Sequence, residues 1–249
     1  MNSESVRLPH FNLELTCGAV SYALQLTPSP FLHIPTEDGD LSIQVLLNMG
    51  HDPSMQNLAL RRACYMKDAA MVKRLLSDPR VFPASPEEHL IQSVTPLTDI
   101  TILHMLLKDG RIDPGDNNSM ALYLACACDN LPAVVLLLDD GRVDMLRCDG
   151  FRVACGLGHT RVLSLYLSDE RMRSPEGLKV ISAGLEYACI SGREEIVALL
   201  LDDGRAQLSV ENCSGIALGI LPERRRAIAI VLLTSDQTAA AGEYLLKCT

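Results

Sequence analysis

A chain of 249 residues that is 48% apolar has ample material for a sizeable core, and a net charge of −9, from 31 acidic against 22 basic residues, argues against nucleic acid or an anionic membrane as the main partner. Aromatic residues make up only 4% and tryptophan is absent, a composition suited to layers of Leu, Val, Ile and Ala more than to an enzyme built around a large pocket. Nine cysteines, an odd number with at least four on helix faces expected to be buried, point to a reducing compartment: cytoplasmic, with a nuclear location as the alternative.

The opening MNSESVRLPHF has no charged lead before a long apolar run, so no secretory signal is expected. No apolar run along the chain reaches the roughly 20 residues that span a bilayer, so no membrane partner is expected either. Residues 1–29 match none of the repeated units that follow. They carry an amphipathic segment, Phe11 to Leu26, closed by Pro28 and Pro30, and are expected to cap a repeat domain over residues 30–249. The first unit of that domain ends in LLNMGHDP, Leu46 to Pro53. A second carries Ala63–Cys64, then Leu75 and the loop SDPRV from Ser77 to Val81. The third is the weakest, with a short first helix over 87–94 ended by Pro96 and a second helix capped by Thr98 or Asp99.

The fourth unit, Asn118 to Asp144, is the clearest. Leu122, Ala125 and Cys126 stand at helical spacing and give a first helix one apolar stripe. Asp129 and Asn130 break it, and Pro132 opens a second helix at a position that needs no backbone N–H. Val134 to Leu138 are apolar nearly all round, so this second helix is expected to be buried on more than one side. Gly141 supplies the stop. A helix pair of this size closes no core alone and requires a neighbour on each side.

With Leu137 as anchor, the matching position recurs at Leu46, Leu75, Leu106, Tyr166, Leu200 and Leu232, in steps of 29, 31, 31, 29, 34 and 32 residues. A second mark keeps the same register: in Ala63–Cys64, Ala125–Cys126, Ala154–Cys155 and Ala188–Cys189 the cysteine stands 11 residues before the anchor. The loops repeat as well, as SDPRV, KDGRI (from Lys108), DDGRV (from Asp139), SDERM (from Ser168) and DDGRA (from Asp202). Arg80, Arg111, Arg142, Arg171 and Arg205 are therefore expected to stack along one edge, each facing the aspartate of an adjacent loop (Asp78, Asp109, Asp140, Asp169, Asp203) so that unlike charges alternate. A competing reading makes the arginine row a surface for an acidic partner.

The groups that could do chemistry have plainer roles. Cys126 and Cys128 lie two apart on a helix and so point to different sides, with no second Cys/His pair at metal-site spacing. Asp139–Asp140 and Asp202–Asp203 recur at the repeat period, which assigns them to the fold before acid–base work. Arg224 to Arg226 read as a solvated helix start. Asn212-Cys213-Ser214 fits a glycosylation sequon that a chain without a signal would not present to that machinery. With no phosphate loop, Ser/His/Asp order or zinc-protease motif, a non-catalytic chain without a cofactor or metal is expected.

The small-residue, Gly–His and leucine-pair pattern of Ala154, Gly158, His159, Val162, Leu163, Leu165 and Leu167 resembles the ankyrin repeat family. It returns in Ala188, Gly192, Ile196, Val197, Leu200 and Leu201. The resemblance covers roughly residues 30 to 240 and implies an all-α solenoid of about six to seven helix-pair repeats acting as a protein-interaction module or scaffold. The alternative is a substrate-recognition adaptor of a larger assembly such as a ubiquitin ligase. The loops depart from the family by one extra residue, the arginine, and the family's Thr-Pro-Leu-His opening is mostly absent. Thr95-Pro96-Leu97-Thr98 looks like it but stands six residues out of register.

The resemblance also implies where a protein partner would sit, just after the small-residue pair on each first helix: Tyr65 and Met66, Ala127 and Cys128, Gly156 and Leu157, Ile190 and Ser191. The matching loop positions are Ser54 and Met55, Asp116 and Asn117, Met145 and Leu146, Lys179 and Val180. Tyr65 is the expected anchor, and His159 is expected to serve hydrogen bonding between repeats.

Overall fold

A computed structural model describes residues 6–7, 14–15, 60, 63–64, 66–78, 81, 100–207, 222–233 and 238–247. Two-residue strands β1 (Val6–Arg7) and β2 (Glu14–Leu15) pair antiparallel, with Val6 opposite Leu15. The described residues otherwise form helices: α1 Ala69–Leu76, α2 Ile100–Asp109, α3 Asp116–Ala127, α4 Leu131–Asp140, α5 Gly150–Leu157, α6 Thr160–Ser168, α7 Pro175–Ile190, α8 Glu194–Asp203, α9 Pro222–Leu232 and α10 Ala239–Lys247. A 3-10 turn, Glu170–Arg173, joins α6 to α7. The expected first repeat, the rest of residues 1–29 expected to form a cap, the short helix expected over 87–94, Tyr65, Arg80 and the Asn212 sequon lie outside the described residues. None of the helices described is long and apolar enough to cross a membrane.

The chain divides into two compact units, Met1–Ala121 with Val135–Val143 and Leu122–Val134 with Asp144–Thr249. In the first, α1 packs against α2 and buries Val72 and Leu75, while α2 buries Ile102, Leu103, Leu106 and Leu107. Asp68 starts α1 by accepting the Met71 amide at 3.0 Å, which satisfies one of the helix's orphan donors. In the second unit, α5 packs on α6 and α7, α7 on α8, α8 on α9, and α9 on α10. Ser174 caps α7 through its hydroxyl, and Pro175 follows in the first turn, where a missing N–H costs nothing.

Every described anchor is buried: Leu75, Leu106, Leu137, Tyr166, Leu200 and Leu232. So are all four Ala–Cys pairs. Full burial of a leucine side chain stabilises by about 1.5–3 kcal/mol, so each leucine anchor contributes substantially to the core. The turn between paired helices also repeats. Lys67, Asp129, Gly158 and Gly192 all adopt a left-handed backbone, with φ between 52° and 88°. In each copy the alanine carbonyl then accepts an amide from five residues on, Asp68 to Ala63, Asn130 to Ala125, His159 to Ala154 and Arg193 to Ala188, the bond that closes a Schellman end.

One expectation is corrected. Helix α4, expected to be buried on more than one side, buries a single stripe: Ala133, Val134, Leu137 and Leu138 are buried, while Val135 is 38% exposed and Leu136 half-buried. Residues one apart on a helix point about 100° away from each other, so a continuous apolar run still leaves one side out when neighbours cover only the other. Helix α3 is not regular from its start: Asn117, Asn118 and Ser119 are left-handed, with φ of 52°, 55° and 57°, so the right-handed part begins at Met120.

Candidate functional site

Three arginines of the recurring loops, Arg111, Arg142 and Arg205, fix one helix pair to the preceding one. Each described loop arginine, Arg171 included, closes on the aspartate two residues before it in its own loop, not on an adjacent loop as the alternating-charge expectation had it. Arg142 Nε and Nη2 donate to Asp140 Oδ1 and Oδ2 at 2.6 and 2.8 Å, and Arg111 treats Asp109 in the same way. Arg171 pairs with Asp169, and Arg205 with Asp203. A two-residue separation across a tight turn brings the fork of the guanidinium and the carboxylate face to face, whereas a neighbouring loop does not. The side-chain hydrogen bonds from arginine hold the Asp140 and Asp169 carboxyls below their ordinary range.

What reaches back to the preceding copy is the rest of the guanidinium, and it meets backbone. Arg111 donates to the Leu76 and Val81 carbonyls at 2.7 and 2.8 Å, Arg142 to those of Leu107 and Ile112 at 3.0 and 2.8 Å, and Arg205 to that of Leu167 at 2.7 Å. Leu76, Leu107 and Leu167 stand in the last turns of α1, α2 and α6, where carbonyls have no partner inside the helix and a cation is favoured. First helices are held likewise. The Nε2–H of His159 donates to the Ala127 carbonyl at 3.2 Å, as expected for this residue, and one copy later Arg193 Nε donates to the Gly156 carbonyl at 2.9 Å.

Of the residues expected to meet a partner, Met66 is 66% exposed and Ile190 38%, and Asp116 and Asn117 are exposed. Cys128, Leu157 and Ser191 are half-buried. Ala127 is a correction: it is 8% exposed, turned inward at the end of α3, where its carbonyl is taken by His159. Gly156 and Met145 are buried too. Tyr65, Ser54 and Met55 lie outside the described residues.

A more coherent cluster lies one helical turn earlier, on residues the sequence did not single out. Tyr123 on α3, Arg152 on α5 and Tyr187 on α7 are each half-buried. The Arg152 guanidinium carbon sits 4.3 Å from the Tyr187 ring centre, within cation–π range, and Nη1 donates to Asp149 Oδ1 at 2.9 Å. Asp149 stands at the N-cap of α5 yet makes no capping bond to that helix, its carboxylate being turned to Arg152. The Tyr123 hydroxyl is pushed up to about 12, first by burial and then by Asp149, Cys148 and Tyr187, with Arg152 opposing. The signal was present in the spacing: Tyr123, Arg152 and Tyr187 each precede by four residues a position that was chosen (Ala127, Gly156, Ser191), and so share its face of the helix.

The cysteines make a contrast. Cys64, Cys126, Cys148, Cys155 and Cys189 are buried thiols, and burial raises those of Cys64 and Cys148 to about 12 and those of Cys126 and Cys155 further. Cys126 Sγ and the buried Tyr166 hydroxyl are 3.5 Å apart. The described residues contain no group of three His, Cys, Asp or Glu side chains placed to hold a metal ion. Compared with models of protein families, with curated proteins and with solved structures, this chain matches none.

Proposed function

We propose that the chain is a solenoid of ankyrin-like helix-pair repeats and acts as a non-catalytic protein-binding module, meeting its partner on the open face of its first helices and the adjoining turns. The observation that carries the reading is the return of one set of contacts at a fixed register. A buried Ala–Cys pair, a left-handed turn three residues after the cysteine and a buried anchor recur in four copies. A loop arginine on the preceding copy's helix end recurs in three. Like contacts between successive copies are what a stack of repeats requires.

Binding in place of catalysis is supported by how the carboxylates are used. Asp109, Asp140, Asp169 and Asp203 are all paired with the arginine two residues on, which takes up part of the recurring carboxylate pairs in holding the loops. A protein partner is supported by the half-buried Tyr123, Arg152 and Tyr187 beside exposed Ile190, since Tyr and Arg dominate the energetics of protein interfaces. The burial of five thiols on helix-packing faces suits a cytoplasmic or nuclear setting.

Affinity capture with the full chain tests this reading against a variant carrying Tyr187→Ala and Ile190→Ser. A protein retained by the wild type is expected to be lost by the variant while the melting temperature stays within about 3 °C. Retention of every captured protein would refute the face. A much lower melting temperature would return both residues to the core.

A further inference from the structure

We infer that Tyr123, Arg152 and Tyr187 form a seat for one carboxylate side chain of the partner, an aspartate or glutamate presented beside an apolar residue. The inference rests on the binding-module reading and adds the chemistry of what is bound. Arg152 is held from two sides: its guanidinium lies over the Tyr187 ring at 4.3 Å, and Asp149 accepts from Nη1 at 2.9 Å. Nε is buried, with no hydrogen-bond partner among the described residues. Nη2 is left as the outward end of the group; it is not buried and makes no hydrogen bond among those residues. The loop arginines differ in this respect, because Nη2 of Arg111, Arg142 and Arg205 is shared between the loop aspartate and a helix-end carbonyl.

Asp149 orients this guanidinium without closing it. One carboxylate oxygen is engaged and the side chain is 53% exposed, so the contact fixes the plane of the fork and leaves an edge for a second acceptor. A stacked and oriented arginine has already lost much of the rotamer freedom that binding would otherwise remove. Tyr123 stands close enough to Asp149, Tyr187 and Arg152 to interact with them electrostatically, and Ile190, three residues after Tyr187 on α7, adds exposed apolar surface. A cation entering here would meet Arg152 itself. At a net charge of −9 a polyacidic segment would be repelled as a whole, which favours a single carboxylate in an otherwise neutral or apolar stretch.

The test is selection of a random twelve-residue peptide library against the folded full chain, followed by titration of the recovered peptides. Peptides sharing an Asp or Glu are expected, and converting that residue to its amide should weaken binding about tenfold or more. Arg152→Gln should weaken the parent peptide similarly and the amide peptide hardly at all, which couples the two groups. Asp149→Asn, which keeps an oxygen on Nη1 and removes the competing charge, should leave binding equal or tighter. If Arg152→Gln fails to fold, Arg152→Lys keeps the charge without the planar fork and is expected to lose affinity as well. Basic peptides, peptides indifferent to Arg152, or loss of binding with Asp149→Asn would overturn the seat while leaving the binding-module reading in place. Recovery of no peptide would also overturn the seat, and the broader reading would then stand or fall on the capture experiment.

Discussion

Arg142 shows how one side chain does two jobs. It closes its own loop on Asp140 and also holds the carbonyls of Leu107 and Ile112, so its loss removes an ion pair and leaves a helix end without its cation. Hydrogen bonds to charged groups contribute about 1.5–3 kcal/mol where buried, and partial exposure discounts this, so Arg142→Ala is expected to cost about 1–2 kcal/mol. Lysine, a point charge without the fork, should not restore it. Thermal melts of the three proteins check both statements, and a neutral Arg142→Ala would remove the clamp from the account. The pairing also predicts a pH dependence. Asp140 is held below its ordinary value in the fold, so its contribution is present above the unfolded value of about 3.9 and is lost as pH falls through the folded one. Asp140→Asn should therefore melt below wild type at pH 7, and the gap should narrow below about pH 4. A gap constant across that range would mean that the ion pair contributes nothing.

At the scale of elements, α5 packs directly against α7 in the second unit, and a glycine makes the contact feasible. A Cβ at Gly184 would fall against the Phe151 ring and 2.8 Å from Cys155 Sγ, atoms that are themselves buried and have nowhere to move. Gly184→Ala is thus an overpacking change, with an expected cost of about 1–3 kcal/mol although alanine is the better helix former. Chemical denaturation would show it, and a stabilised variant would mean that α5 and α7 do not pack this closely in solution. Elements also differ in how well they suit their residues. The left-handed turn costs glycine nothing at Gly158 and Gly192, whereas Lys67 carries about 1–2 kcal/mol of strain in the same conformation, and Asp129 less, because a short polar side chain is tolerated there.

For the whole molecule, burial divides the described cysteines into one that reagents reach and five that they do not. Cys128 is half-buried, while Cys64, Cys126, Cys148, Cys155 and Cys189 are enclosed, and enclosure keeps four of those thiols protonated far above neutral pH. Alkylation of the folded chain at pH 8, read by peptide mass, should modify Cys128 first among these six, with the other five following only in denaturant. Equal labelling of Cys126 and Cys128 would mean that the Ala–Cys register does not mark the interior. Because those pairs sit in four copies, the experiment reports on the packing of each copy separately.

By itself the sequence determined what repeats. The anchors, the Ala–Cys pairs and the loop arginines are local patterns, and a pattern that returns every 29 to 34 residues needs no knowledge of distant contacts to be seen. Tertiary structure decided which acceptor each arginine takes and which turn of a first helix stays open. Arg142 reaches carbonyls 30 and 35 residues away, and a backbone carbonyl has no residue type for a sequence to reveal. Tyr123, Arg152 and Tyr187 share a helix face with the contact positions that the resemblance implies, but only the approach of α5 to α7 puts Arg152 over the Tyr187 ring, while Ala127 and Gly156, one turn later on their helices, are buried. A helix presents the same periodic face along its whole length, and where its neighbour stops covering that face is fixed by packing.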